Sequence, residues 1–157
     1  MRISVRRGAD VDAHVLPIQL ESTWYFIEAH HVCEVLGEEP WLPIPRSRAG
    51  LPGVIVWRGR AVPLVDLGTL LGVAKGAVQS RPRTLIVRHE RGVAALPVDA
   101  AREVRRIAGE ALKPVQGGLL PYGTRELDEQ GEIVTLIDLE ALLSDLDRAS
   151  GASGNAG

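Results

Sequence analysis

Gly59-Arg-Ala-Val-Pro-Leu-Val-Asp-Leu-Gly-Thr-Leu-Leu-Gly72 recurs 72 residues later as Gly131-Glu-Ile-Val-Thr-Leu-Ile-Asp-Leu-Glu-Ala-Leu-Leu-Ser144. Seven of the fourteen positions are identical, and a match of this length marks an internal duplication. A weaker pair runs in the same order: Ile27 to Val35 against Leu96 to Val104, ending in Cys33-Glu-Val and Arg102-Glu-Val at an offset of 69.

Both strong copies encode one physical unit. A glycine turn opens a strand, Ala61–Val65 or Glu132–Ile137, rich in β-branched and apolar residues. Asp66 or Asp138 ends it, placed to cap a following helix by accepting a backbone N–H. The helix has leucines at its first, fourth and fifth positions: Leu67, Leu70, Leu71 and Leu139, Leu142, Leu143. That spacing puts all three on one face, laid back on the sheet. Gly72 supplies a left-handed stop for the first helix.

Working outward, Gly53–Trp57 and Ala61–Val65 flank Arg58-Gly59-Arg60 as a tight hairpin. Thr84–His89 and Gly92–Val98 form another across Glu90-Arg91. Pro17, Pro63 and Pro97 fall inside strand-like runs, and a proline cannot donate to a ladder, which predicts edges or bulges there. Seventeen glycines and ten prolines in 157 residues favour many short elements over a helical bundle. The pattern predicts a mainly β protein of two small twisted barrels, each with a short helix, and flexible tails at 1–13 and 148–157.

Composition excludes several classes of function. The net charge is −2 and the Arg excess, 16 against 2 Lys, is spread along the chain. Six aromatic residues and an acidic stretch from Asp128 to Asp147 argue against nucleic acid. Apolar runs such as Val93–Val98 are far too short to cross a bilayer. The lone Cys33 excludes an internal disulfide and a cysteine-cluster zinc site. Its neighbours Val32, Val35 and Leu36 predict a buried or inert thiol. His30 and His31 are adjacent and expected to point apart, so no metal is expected. No nucleophile elbow, phosphate loop or zinc-protease motif occurs, so no catalytic residue is assigned.

The run Leu51-Pro-Gly-Val-Ile-Val-Trp-Arg-Gly-Arg-Ala-Val-Pro-Leu-Val-Asp-Leu67 resembles the signature of the CheW-like coupling proteins of bacterial chemosensory arrays. Gly53, Val54, Arg58, Gly59, Pro63, Asp66 and Leu67 match it, and the resemblance extends over about residues 14 to 147. It implies a single domain of two SH3-like five-stranded β-barrels, about 21–80 and 83–137, with residues 14–20 and a helix over 138–147 packing on the pair. It also implies a cytoplasmic, non-catalytic adaptor without cofactors, joining chemoreceptor tips to the regulatory domain of a CheA-type histidine kinase. Carried over by position, the receptor-facing groove falls on Val32, Glu34, Val35, Arg58, Leu85 and Ala95, and the kinase-facing surface on Gly37, Trp41 and Gly53. Glu34 and Arg58 are expected to pair beside a floor of Val32, Val35 and Leu85.

Two departures stand out. Val56-Trp57 replaces the family's Asn-Leu, which predicts loss of a polar contact at the hairpin, and Ala95 and Pro97 alter a strand of the second barrel. Two rival readings follow: a divergent relative that binds one of the usual partners, and a β-barrel enzyme or small-molecule binder, which needs a pocket with converging polar groups.

Overall fold

Four two-residue turns decide most of the strand pairing: Glu21-Ser22, Arg58-Gly59, Glu90-Arg91 and Gln130-Gly131. At Arg58-Gly59 both residues have positive φ, 50° and 74°, the type I′ geometry whose twist suits a hairpin. Gln130-Gly131 repeats it at 55° and 91°. The computed structural model describes residues 11–73, 81–118 and 120–154. Its strands are β1 (Ala13–Leu20), β2 (Thr23–Glu28), β3 (Val32–Leu36), β4 (Leu42–Pro43), β5 (Gly53–Trp57), β6 (Arg60–Leu64), β7 (Arg83–His89), β8 (Gly92–Val98), β9 (Ala100–Ala101), β10 (Arg105–Ile107), β11 (Lys113–Pro114), β12 (Gly123–Glu129) and β13 (Glu132–Ile137). The helices are α1 (Leu67–Leu70) and α2 (Leu139–Gly154). No helix among the described residues is long and apolar enough to cross a membrane.

The strands form two sheets that share one six-strand path. The first runs β10-β1-β2-β13-β12-β11, with β9 also beside β1, and the second runs β3-β7-β8-β6-β5-β4. Position by position, β1 and β2 correspond to β7 and β8, while β3 to β6 correspond to β10 to β13. The parallel contacts fall at equivalent places, β2 with β13 and β6 with β8. Each repeat therefore lends its opening hairpin to the sheet of the other.

This corrects the expected division at 21–80 and 83–137. The strands β7 and β8 complete the N-terminal sheet, and β1 and β2 complete the C-terminal one. The reason is burial on both faces. Leu85 and Val87 enter one core while Ile86 enters another, and Tyr25 and Ile27 are split from Phe26 in the same way. Strands apolar on both faces belong inside a sheet rather than at its rim.

Three cores result. One lies within the first sheet around Phe26, Ile107 and Leu136, and one within the second around Ile55, Leu64, Ile86 and Ala95. A shared core draws on both sheets and receives the helix leucines: Leu67 and Leu71 from α1 and its end, Leu139, Leu142 and Leu143 from α2. Asp66 caps α1 through Thr69 N at 3.3 Å, and Asp138 caps α2 through Ala141 N at 3.0 Å. Gly72, at φ 72°, follows α1 as expected. Tyr122 fastens α2 by donating its hydroxyl to Asp145 Oδ2 at 2.7 Å, and this bond, with burial, raises the phenol's pKa. Asp66→Ala and Asp138→Ala are each expected to lower stability by ~1 kcal/mol in urea unfolding, the usual contribution of a lost cap. Unchanged midpoints would contradict the capping role.

The prolines do not lie on edge strands: β1, β6 and β8 are all interior. Counting from each two-residue turn, Pro17↔Phe26, Pro63↔Val54 and Pro97↔Thr84 are all non-hydrogen-bonded pairs. The missing N–H therefore faces the other neighbour, where the ladder lapses. Pro17 sits in the gap between β9 and β10, Pro63 just before the register pair Leu64↔Ala95, and Pro97 two residues past it.

The tails also differ from expectation. Asp12 already contacts Arg106 and Gly109 N, and Ala13 opens β1. At the other end α2 continues to Gly154, through most of the stretch expected to be flexible. The remainder of both expected tails lies outside the described residues.

Candidate partner-binding site

The edge strand β3 carries the first group of positions that the resemblance singled out. Its pairing with β7 jumps from Val32↔Val87 to Glu34↔Ile86, so Cys33 is the extra residue of a bulge. Cys33 is consequently exposed, which corrects the expectation of a buried thiol. Beyond the bulge, Glu34 and Leu36 face the second-sheet core, whereas Val35 turns to the other side and stands 46% exposed. Val32 packs partly against the shared core.

The β5–β6 turn supplies the rest. Glu34 Oε2 accepts from Trp57 Nε1 at 2.9 Å and faces Arg58 Nη2 at 3.5 Å. The Arg58 guanidinium lies over the Trp57 ring, 4.6 Å from its centroid. The expected Glu34–Arg58 pair is thus present. The polar contact expected to be lost at Val56-Trp57 is instead made by the indole N–H, and the ring gives the guanidinium a platform. Arg58 remains 71% exposed, so its fork is available to a partner while Trp57 and Glu34 restrict its direction.

Two carried-over positions are corrected. Leu85 and Ala95 have no exposed surface: Leu85 lies in the shared core and Ala95 in the second-sheet core. Alternation on β7 and β8 turns both inward, so they support the surface instead of forming its floor. Val32, Glu34, Val35 and Arg58 are the members of that set with accessible side chains.

The second set is also split. Gly37 is exposed, Trp41 is half-buried against the second-sheet core, and Gly53 is buried. A Cβ on Gly53 would collide with the Leu42 carbonyl oxygen and lie 2.6 Å from Trp41 Cε3. Gly53 therefore acts as a spacer that lets β4 and the Trp41 ring close over β5.

Sequence reading missed the outer face of β4, β5 and β6. Leu42, Val54 and Pro63 form one cross-strand row, and Val56 and Ala61 the next. Leu42 and Val56 are 62% and 63% exposed. The period-2 alternation of Gly53–Trp57 and Arg60–Leu64 was the signal that places these side chains together. The equivalent rows on the first sheet are Lys113, Glu126 and Thr135, then Asp128 and Ile133. One face is apolar and its counterpart largely charged, so the two equivalent faces differ in chemistry.

A cavity of about 630 Å³ opens on the first sheet beside Trp24, Phe26 and Val134. Its Arg105 is paired with Glu129 at 2.5 Å, and its Arg102 stacks on Trp24 at 4.2 Å. Three of its charged groups, Arg102, Arg105 and Glu129, are thus held by neighbouring side chains.

Two sheets built from exchanged repeats carry the Glu34–Trp57–Arg58 cluster at one edge. Residues 14–147 match the model of the CheW-like domain, and the chain belongs to that family. It is 26% identical over 154 residues to a probable chemotaxis protein CheW of Rhizobium etli, covering 92% of this chain and 96% of that one. It is 35% identical over 111 residues to a gliding motility regulatory protein of Myxococcus xanthus, covering 66% of this chain and 14% of that protein. Its fold is similar to the crystal structure of the scaffolding protein TtCheW from Thermoanaerobacter tengcongensis. There the TM-score is 0.71 at 23% identity, covering 84% of this chain and 92% of that one.

Proposed function

We propose that this protein is a non-catalytic chemosensory adaptor that binds a chemoreceptor cytoplasmic tip and the regulatory domain of a CheA-type histidine kinase in the cytoplasm. The observation that carries the reading is the Glu34–Trp57–Arg58 cluster, an oriented and exposed guanidinium fork at the edge of a CheW-like domain. On this reading Val32, Glu34, Val35 and Arg58 meet the receptor, with Leu85 and Ala95 shaping the strands behind them. Gly37 and Trp41, held by Gly53, meet the kinase together with Leu42 and the apolar rows of β5 and β6.

Separate partners on separate surfaces make a direct test. Leu42→Asp places a charge on an exposed apolar row and should leave folding intact. It is expected to weaken binding of the kinase regulatory domain by about tenfold or more, with receptor-tip binding unchanged in the same calorimetric titrations. Equal effects on both partners, or on neither, would contradict this division of surfaces.

A further inference from the structure

The 3₁₀ turn Ala29–His31 carries the two histidines expected to point apart, and it brings them together: their ring centroids lie 4.1 Å apart. Glu28, the residue before the turn, joins them. Its Oε2 lies 3.3 Å from His30 Nδ1, and donor atoms of Glu28, His30 and His31 all fall within 4.8 Å of one another. Two ligands bound to one ion at about 2.1 Å with a tetrahedral angle stand roughly 3.4 Å apart. The Glu28–His30 spacing is that of one edge of such a site.

His31 is oriented from behind. It is buried, and its Nδ1 lies 2.9 Å from the Arg88 carbonyl oxygen. A carbonyl only accepts, so Nδ1 carries the proton and Nε2 keeps its lone pair. Metal-binding imidazoles are commonly fixed by this kind of outer bond. His30 and His31 share a depression with His89 and Glu140, and Glu140 Oε2 stands 3.8 Å from His31 Nδ1. Two nitrogens and a carboxylate suit a borderline divalent ion, whereas calcium and magnesium take mostly oxygen ligands.

We propose that Glu28, His30 and His31 bind a divalent transition metal ion of the zinc class. Three protein ligands leave a fourth position for water or for a side chain of a docked partner. His31 runs directly into Val32 at the start of β3, so the ion would brace the turn that leads into the receptor-facing strand. The expectation of no metal rested on diverging imidazoles and on the lack of a second ligand cluster; the imidazoles instead lie together, with Glu28 beside them.

The test uses the untagged full chain, stripped with chelator and titrated with zinc chloride in a calorimeter. One equivalent of zinc is expected. Glu28→Gln and His30→Ala change exposed side chains, and each should weaken binding by about tenfold or more, while Cys33→Ser leaves it unchanged. Absence of stoichiometric binding would overturn the proposal. So would binding that survives both ligand variants, or that vanishes in Cys33→Ser, which would assign the ion to the exposed thiol.

Discussion

Arg58→Ala is expected to weaken receptor-tip binding about thirtyfold, ~2 kcal/mol, the scale of an interface anchor. Thermal stability should scarcely move. An exposed ion pair contributes only ~0–1 kcal/mol to folding, and the 3.5 Å separation from Glu34 is that of a loose pair. What the wild-type residue supplies is geometry. Its backbone is held in the left-handed turn, its plane lies over Trp57, and its fork points outward past Glu34. Arg58→Lys should rescue little, because a lysine brings a point charge without the planar fork. Titrating the variants and the wild type against one receptor-tip preparation, with a melting curve for each, decides the matter. Full binding by a folded Arg58→Ala protein would reduce Arg58 to a solvated turn residue.

Leu67→Ala and Leu139→Ala are expected to destabilise the protein by ~3 kcal/mol each, within the range for emptying a leucine site in a core. Leu67 and Leu139 hold equivalent positions in the two repeats, both in the shared core. The half-buried Leu70 marks the comparison: Leu70→Ala should cost distinctly less. Urea unfolding followed by tryptophan fluorescence reports all three. A large loss for one deeply buried leucine and a negligible loss for its counterpart would show that the repeats do not anchor their helices in the same way.

Much of this architecture was legible because its signals are local. Glycine turns and alternation bounded Gly53–Trp57, Gly92–Val98 and Glu132–Ile137 as the structure has them. Asp-Leu-x-x-Leu-Leu marked both caps and both buried helix faces. The exchange of opening hairpins was hidden, since it depends on pairings such as Leu64↔Ala95 and Ile137↔Ile27 between residues far apart in the chain. At the site, a single bulged residue was enough to expose Cys33. Leu85 and Ala95 were placed by position along the chain, and the direction in which each strand faces then buried them. The Trp57–Glu34 hydrogen bond needed the second sheet to curl until its edge strand met a hairpin turn 23 residues on.

On the proposed reading, one copy of this chain holds two partners at once. The direct measurement is co-sedimentation of an oligomerised receptor-tip fragment with the isolated kinase regulatory domain, with and without this protein. The kinase domain should pellet with the receptor fragment only when the protein is present, and Arg58→Ala and Leu42→Asp should each abolish most of that transfer. A protein that pellets with the receptor fragment, or binds the kinase domain, but never carries one to the other would contradict it.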